Sequence, residues 1–294
     1  MQKTIIVTGA TSGIGFELVK TYALANYKVI GIARNEMLMS QCDHDIRQIN
    51  PNVDLTFVKA DLSSLEEVRV ASDAIKELVS QHGVDVLINN AATVPHKKIM
   101  TGDGFEMQYQ VNHLSGVYLS YLLYNELNKK HGIVITTTSR MHILARFNAK
   151  DIMATKHYHM LRSYCRTKLY NLLFTKAFRD VLASSNVKTF AVHPGLVKTG
   201  IGTKSTNSLF AKIWNLSARR GKEPSEVVAT YSYIIENKDT LDQDLFYYHE
   251  EKVAIPHKRL VTTDNALTLW NITNKQLKLD WDALLKESNV SLSS

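Results

Sequence analysis

Tyr164 and Lys168 stand four residues apart in the run Tyr164-Cys165-Arg166-Thr167-Lys168. On a helix this spacing puts both side chains on one face, with Cβ atoms about 5–6 Å apart, so an ammonium can lie beside a phenol. A free phenol titrates near ~10, and lowering it by about 3 units to trade protons at neutral pH takes on the order of 4 kcal/mol of preference for phenolate. A fixed cation in a low-dielectric site can supply that preference. The same spacing also arises by chance on surface helices, so the elements around the pair must decide whether it is placed for chemistry.

The whole chain narrows the setting. Its 294 residues are 45% hydrophobic and 21% charged, ordinary values for a soluble globular protein that can bury a sizeable core. The 35 Lys and Arg exceed the 28 Asp and Glu, giving +7, but they are spread along the chain. Dispersed basic residues argue against a nucleic-acid partner and point to anionic small molecules. Only Cys42 and Cys165 are present, with no CxxC spacing, so no disulfide framework or zinc site is expected. His142, His157 and His159 lack an acidic or Cys partner at ligand spacing, so no metal is expected there either. Met1 to Val7 runs straight into an apolar β-type segment, and no stretch approaches the ~18 apolar residues of a membrane span. The expectations are a cytoplasmic protein with no signal peptide or membrane anchor, and one domain over 1–294 without repeats. Homo-oligomerisation is compatible with the sequence.

Short apolar β runs alternate with amphipathic helical segments: Thr4–Thr8, a helix from about Gly13, Lys28–Ala33, a helix, Leu55–Val58, a helix, Val84–Ile88, and a helix from about Gly104. A fifth strand is expected at 132–139 and a sixth at Val187–Val192, with a helix starting at Tyr164 between them. Pro224 precedes a helix at Ser225–Ile235, then come a last strand at Leu245–Tyr248 and a helix at Asp264–Asn274. Trp281 and the Ser-rich end are expected to pack at the surface or fray. This alternation predicts an α/β fold, a doubly wound parallel sheet of about seven strands with helices on both faces, and ligands beyond the carboxyl ends of the strands.

At the first strand end stands Thr8-Gly9-Ala10-Thr11-Ser12-Gly13-Ile14-Gly15. Glycines allow a tight turn and the approach of a pyrophosphate, and the following helix offers free N–H groups and its positive dipole end. The second strand closes on Ala33-Arg34-Asn35, with no carboxylate where an NAD-binding fold places one on the ribose. Arg34 can instead make charge-assisted bonds to a 2′-phosphate, which favours NADP(H) over NAD(H), unless it is simply a solvated surface arginine. After the third strand, Asp61 and Leu62 stand where an adenine would lie, although Asp61 also suits a helix N-cap. The fourth strand ends Asn89-Asn90-Ala91-Ala92, residues that can tie backbone groups together beside a ribose or simply form a turn. Asn112 interrupts an apolar helix and needs an internal hydrogen-bond partner. Ser139 brings a hydroxyl to the end of the fifth strand, and the sixth is followed by Pro194, Gly195, Val197 and Thr199.

These pieces, in this order and strand context, resemble the short-chain dehydrogenase/reductase family over nearly the whole chain. The likeness is greatest to its retinol dehydrogenase-like group, through Asn112-His113-Leu114, the Tyr164 to Leu169 run, Val192-His193-Pro194-Gly195 and Leu269-Trp270. That group is also similar in the long separation, 25 positions, between Ser139 and Tyr164. Ala92 departs from the family's usual glycine, and the membrane-anchoring N-terminus of the animal members is not seen in the sequence.

The resemblance implies that Tyr164 donates a proton to a carbonyl oxygen as NADPH delivers hydride, or takes it back in the reverse direction. It implies that Ser139 hydrogen-bonds that oxygen, and that Lys168 holds the nicotinamide ribose and depresses the phenol's pKa. Asn112 would position a water leading to Lys168, or else is only a helix-kinking residue. Thr199 would bond the carboxamide or a phosphate, or cap a helix. The segments near 140–163 and 196–223 are expected to cover the substrate. Met141, Ile143, Leu144, Phe147, Met153, Ile201, Leu209, Phe210 and Trp214 make them mostly apolar, favouring a small hydrophobic aldehyde, ketone or alcohol. The alternative is a non-catalytic NADP-binding sensor or scaffold on the same fold. A sensor needs the Gly-rich turn but not the set Asn112, Ser139, Tyr164 and Lys168, which speaks against it.

Overall fold

Strands buried on both faces read as unbroken apolar runs, and β1 (Thr4–Thr8), β4 (Val86–Asn89) and β5 (Ile133–Thr137) are buried at every position. The computed structural model describes residues 2–156, 158–183, 185–198, 221–242 and 244–291, with side chains to 286. With β2 (Lys28–Ala33), β3 (Leu55–Lys59), β6 (Lys188–Val192), β7 (Tyr247–His249) and β8 (Lys252–Val253), these strands form one sheet in the order β3-β2-β1-β4-β5-β6-β7-β8. All pairings are parallel except β7 with β8. The order reverses between β1 and β4, which opens a crevice at their carboxyl ends.

Successive residues of each strand feed opposite layers. Ile6 and Val134 face the core shared with α3 (Leu65–Val79), α5 (Ser115–Leu122) and α7 (Met160–Val181). Ile5, Val7, Ile133 and Ile135 face the other layer, built on α1 (Gly13–Leu24) and a helix at Pro224–Asn237.

The sheet agrees with the expected count of about seven strands, with an eighth added because Glu250 and Glu251 both take positive φ, 49° and 60°, and close a tight hairpin without the Asn-Gly signal such turns usually carry. Three expectations are corrected. The helix expected from about Gly104 starts later: 101–105 forms a turn with Gly104 at φ 82°, followed by α4 (Met107–Tyr109). That helix then passes through a π turn (Gln110–Leu114) containing Asn112 before continuing as α5. The helix carrying Tyr164 begins at Met160, so the phenol and the ammonium sit beyond its first turn, on regular backbone.

The third correction concerns Trp281, which is 4% exposed rather than superficial. Its indole packs 4.9 Å from Tyr121, 5.4 Å from Phe178 and 5.3 Å from Trp270, and its N–H donates to Asn274. An isolated Trp before a polar tail shows no periodicity that would reveal this. Trp281→Ala is expected to destabilise the fold by about 3–5 kcal/mol, readable as a lowered urea midpoint.

Candidate active site

The turn after β1 sets the floor of the site. Gly9 and Gly13 have φ of 68° and 55°, which other residues adopt at a cost, and a Cβ on Gly9 would press on Ala91 at 3.0 Å. The Thr8 hydroxyl accepts the N–H groups of Asn90 (2.9 Å) and Ala91 (3.0 Å), while the Asn90 amide donates to the Thr8 carbonyl (3.1 Å). Asn89 donates to the Gly116 carbonyl (3.2 Å) and the Ser120 hydroxyl (3.0 Å). The two asparagines therefore lock the ends of β1 and β4 to each other and to α5.

A cavity of about 940 Å³ runs along these strand ends. Thr11, Ser12, Gly13 and Ile14 line it at the start of α1, with Gly9 beneath. Arg34, Asp61 and Leu62 line one end, Asn90 and Ala91 the middle, and Ser139, Tyr164, Lys168, Pro194, Gly195 and Val197 the other end. Thr199 lies outside the described residues, as do Ile201, Leu209, Phe210 and Trp214.

Gly15, expected as a cofactor residue, does not line the cavity. A Cβ there would collide with the Gly9 carbonyl oxygen, so this glycine serves the close contact of α1 with the turn. Asn112 is not at the cavity wall either. Its amide is spent on Thr93, accepting from the backbone N–H (2.7 Å) and donating to the carbonyl (3.0 Å), and on the Thr167 hydroxyl (3.2 Å). These bonds satisfy the polar group inside the helix and fix Thr93, which does face the cavity. Arg34 lies 3.6 Å from Asp61 and is 69% exposed at its side chain. Asp61 holds the Ser63 N–H and hydroxyl, while Ser64 caps α3, so Asp61 is not the N-cap.

At the reacting end, Lys168 Nζ donates to the Thr137 carbonyl (3.1 Å), which also accepts from the Asn171 amide (3.1 Å). The ammonium lies 5.6 Å from the Tyr164 ring centre. The expected depression of the phenol is not what this arrangement produces. Burial, the largest influence, pushes Tyr164 up to about 12, against a smaller opposing effect from its bond with Ser139. Burial likewise brings Lys168 down to about 8. Desolvation disfavours both charged forms. Ser139 Oγ accepts the Met141 N–H (3.2 Å) and bonds to the Tyr164 hydroxyl, so the two hydroxyls stand together at this end.

The apolar wall differs from the expected one. Of the residues picked from 140–163, Met141 lines the cavity, Phe147 and Met153 pack on the core, and Ile143 and Leu144 are exposed. The wall is instead made by Val94, Pro95, Met107 and Val111. Tyr158 ties the long stretch between Ser139 and Tyr164 to that wall, donating to the Pro95 carbonyl (2.9 Å) and accepting from Gln108 (2.9 Å). Arg140, His193 and His249 also line the cavity and were not anticipated. Each stands at or next to the carboxyl end of a parallel strand, the signal that could have found them.

Residues 3–209 match the family model described as short chain dehydrogenase. The chain is 29% identical over 287 residues to retinol dehydrogenase 12 of Homo sapiens, spanning 95% of this chain and 88% of that one. It is similar to the crystal structure of an uncharacterized protein from Mycobacterium paratuberculosis, with a TM-score of 0.71, 26% identity and coverage of 95% and 94%. It shares its fold with the NADPH-bound carbonyl reductase from chicken fatty liver, with a TM-score of 0.63 at 19% identity, covering 86% of this chain and 98% of that one. The Gly-rich turn at the sheet's crossover, the hydroxyl, phenol and ammonium that meet across the cavity from it, and the matched family model place this chain in the short-chain dehydrogenase family, as a hydride-transfer oxidoreductase.

Proposed function

We propose that the protein is an NADP(H)-dependent reductase of hydrophobic aldehydes or ketones, able to oxidise the corresponding alcohols in reverse. The observation that carries this is the placement of Ser139, Tyr164 and Lys168 in the same cavity as the Gly9–Gly13 turn. The turn suits a dinucleotide on its own terms. The first turn of α1 has no acidic residue, so the helix's N-terminal dipole end suits an anion. Arg34, which follows β2 where an NAD-binding fold has a carboxylate and lies 3.6 Å from Asp61, supports the 2′-phosphate and hence NADP(H).

NADPH, when bound, supplies a hydride to the carbonyl carbon. As that C–H bond forms, the electron pair of the C=O π bond moves to oxygen, and the Tyr164 hydroxyl gives that oxygen its proton. The Ser139 hydroxyl donates to the same oxygen as negative charge develops on it. Lys168 faces the phenolate left behind, which is reprotonated from solvent. Val94, Pro95, Met107 and Val111 accept an apolar substrate body and exclude water.

The direct test follows NADPH oxidation with a panel of hydrophobic aldehydes. NADPH binding without turnover of any of them would favour a dinucleotide sensor instead. Arg34→Ala separates the cofactors: NADPH affinity is expected to fall about 10–100-fold, the range of a charge-assisted bond, with NADH affinity little changed. An equal loss for both would show that Arg34 does not read the phosphate.

A further inference from the structure

The cavity has a charge asymmetry that an apolar substrate does not use. Asp61 is the sole carboxylate among the described lining residues, and it lies at the Arg34 end. At the opposite end, beside Ser139, the lining carries Arg140, His193 and His249. The imidazoles of His193 and His249 stack with ring centres 4.3 Å apart. His249 Nδ1 donates to the His193 carbonyl (2.8 Å), and His193 Nδ1 accepts the Gly195 N–H (3.0 Å), so a neutral His193 has its proton on Nε2. The nearest acid, Glu250, is held by Lys222 at 2.7 Å and stands 3.8 Å from His249, outside the cavity lining.

Arg140 is exposed, and among the described residues its guanidinium forms no hydrogen bond or ion pair. Arg140 nevertheless lines this end of the site, and its charge also acts on His193, which it helps keep neutral, and on Tyr247. An unpaired guanidinium one residue from the hydroxyl that would hold the reacting oxygen is a fork ready for a planar anion. The facing wall of Val94, Pro95, Met107 and Val111 is apolar.

Building on the reductase reading above, we infer that the substrate is amphipathic: an apolar aldehyde or ketone bearing a carboxylate, which Arg140 binds at the mouth of the cavity beside the His193–His249 stack. Arg140 is then a specificity-determining residue for the reaction, and the apolar wall sorts the substrate's body.

The test uses two aldehydes of similar shape, 4-carboxybenzaldehyde and 4-methylbenzaldehyde, with NADPH and the full chain. In the wild type kcat/KM is expected to be at least about tenfold higher for the acid, as a charge-assisted bond supplies. Arg140→Gln is expected to bring that ratio to about one, Arg140→Lys to restore part of it, and added salt to narrow it, because the guanidinium is exposed. A wild-type ratio of one or below, or an Arg140→Gln ratio equal to wild type, overturns the inference. So does a loss of NADPH affinity in Arg140→Gln with the ratio intact, which would assign the residue to the cofactor. If the wild type reduces neither aldehyde, the reductase reading fails separately, and calorimetric titration with benzoate decides the present point. Benzoate binding weakened about tenfold in Arg140→Gln upholds the anion site, and equal or absent binding in both proteins refutes it.

Discussion

Tyr164→Phe is expected to fold, bind NADPH with near wild-type affinity and lose about 10²–10⁴ of its carbonyl-reducing rate, the range that positioned acid catalysis contributes. The change removes one oxygen from a side chain that is 7% exposed and keeps the ring, so packing is preserved. The lost bond to Ser139 amounts to about 1 kcal/mol of stability, far less than the catalytic loss. Single-turnover kinetics with saturating NADPH, together with a thermal melt, separate the two effects. A variant that melts earlier but turns over normally would make Tyr164 a packing residue and refute the proposed proton donor.

Lys168→Met is expected to lose activity and gain stability. The side chain is 2% exposed, and its pKa is brought down to about 8 from the ordinary 10.5 by burial. Holding it protonated at neutral pH therefore costs on the order of 3 kcal/mol, partly offset by its bond to the Thr137 carbonyl. Methionine fills a similar volume without that desolvation, so the variant should melt a few degrees higher at pH 7. The sign of the pH dependence follows. Between about 8 and 10.5 the unfolded chain holds a proton that the folded chain has released, so this residue's contribution to stability rises with pH across that window. The buried Tyr164, raised to about 12, acts oppositely above its ordinary value of 10, which leaves pH 8 to 10 as the clean interval. The stability gap between variant and wild type should narrow there, and a gap independent of pH would show that Lys168 is not buried as a cation. In the wild type, loss of the ammonium above about 8 removes the charge facing the developing phenolate, so the reductive rate should fall on that limb. Because the phenol stays protonated far beyond neutrality, it holds at pH 7 the proton it would donate to a carbonyl oxygen.

The opposing pKa shifts also mark a trade between stability and function. A buried lysine beside a buried tyrosine is a poor choice for stability, and α7 keeps both near the end of β5 through the bond from the Thr138 hydroxyl to the Lys168 carbonyl (2.7 Å). Asn171, one turn further on, shares the Thr137 carbonyl with Lys168 and is itself 3.3 Å from the buried His113. The acceptor that holds the lysine is thus braced from within the protein.

The amino-acid sequence by itself determined the sheet's inner strands, the Gly-rich turn, and the order in which Asn90, Ser139, Tyr164, Lys168 and Gly195 occur. Fully buried parallel strands have to be apolar throughout, and a tight strand-to-helix turn needs glycines at positive φ, so both leave local marks. Only the tertiary structure decided what has no local mark. It turned Asn112 away from the cavity to hold Thr93, assigned Gly15 to helix contact, sank Trp281 among four aromatic rings, and brought Arg140 and His249 to one cavity with Val94, Pro95 and Met107 from distant parts of the chain. It also reversed the expected sign of the Tyr164 shift, because burial is a sum over everything packed around a side chain, and the four-residue spacing to Lys168 carries none of that information.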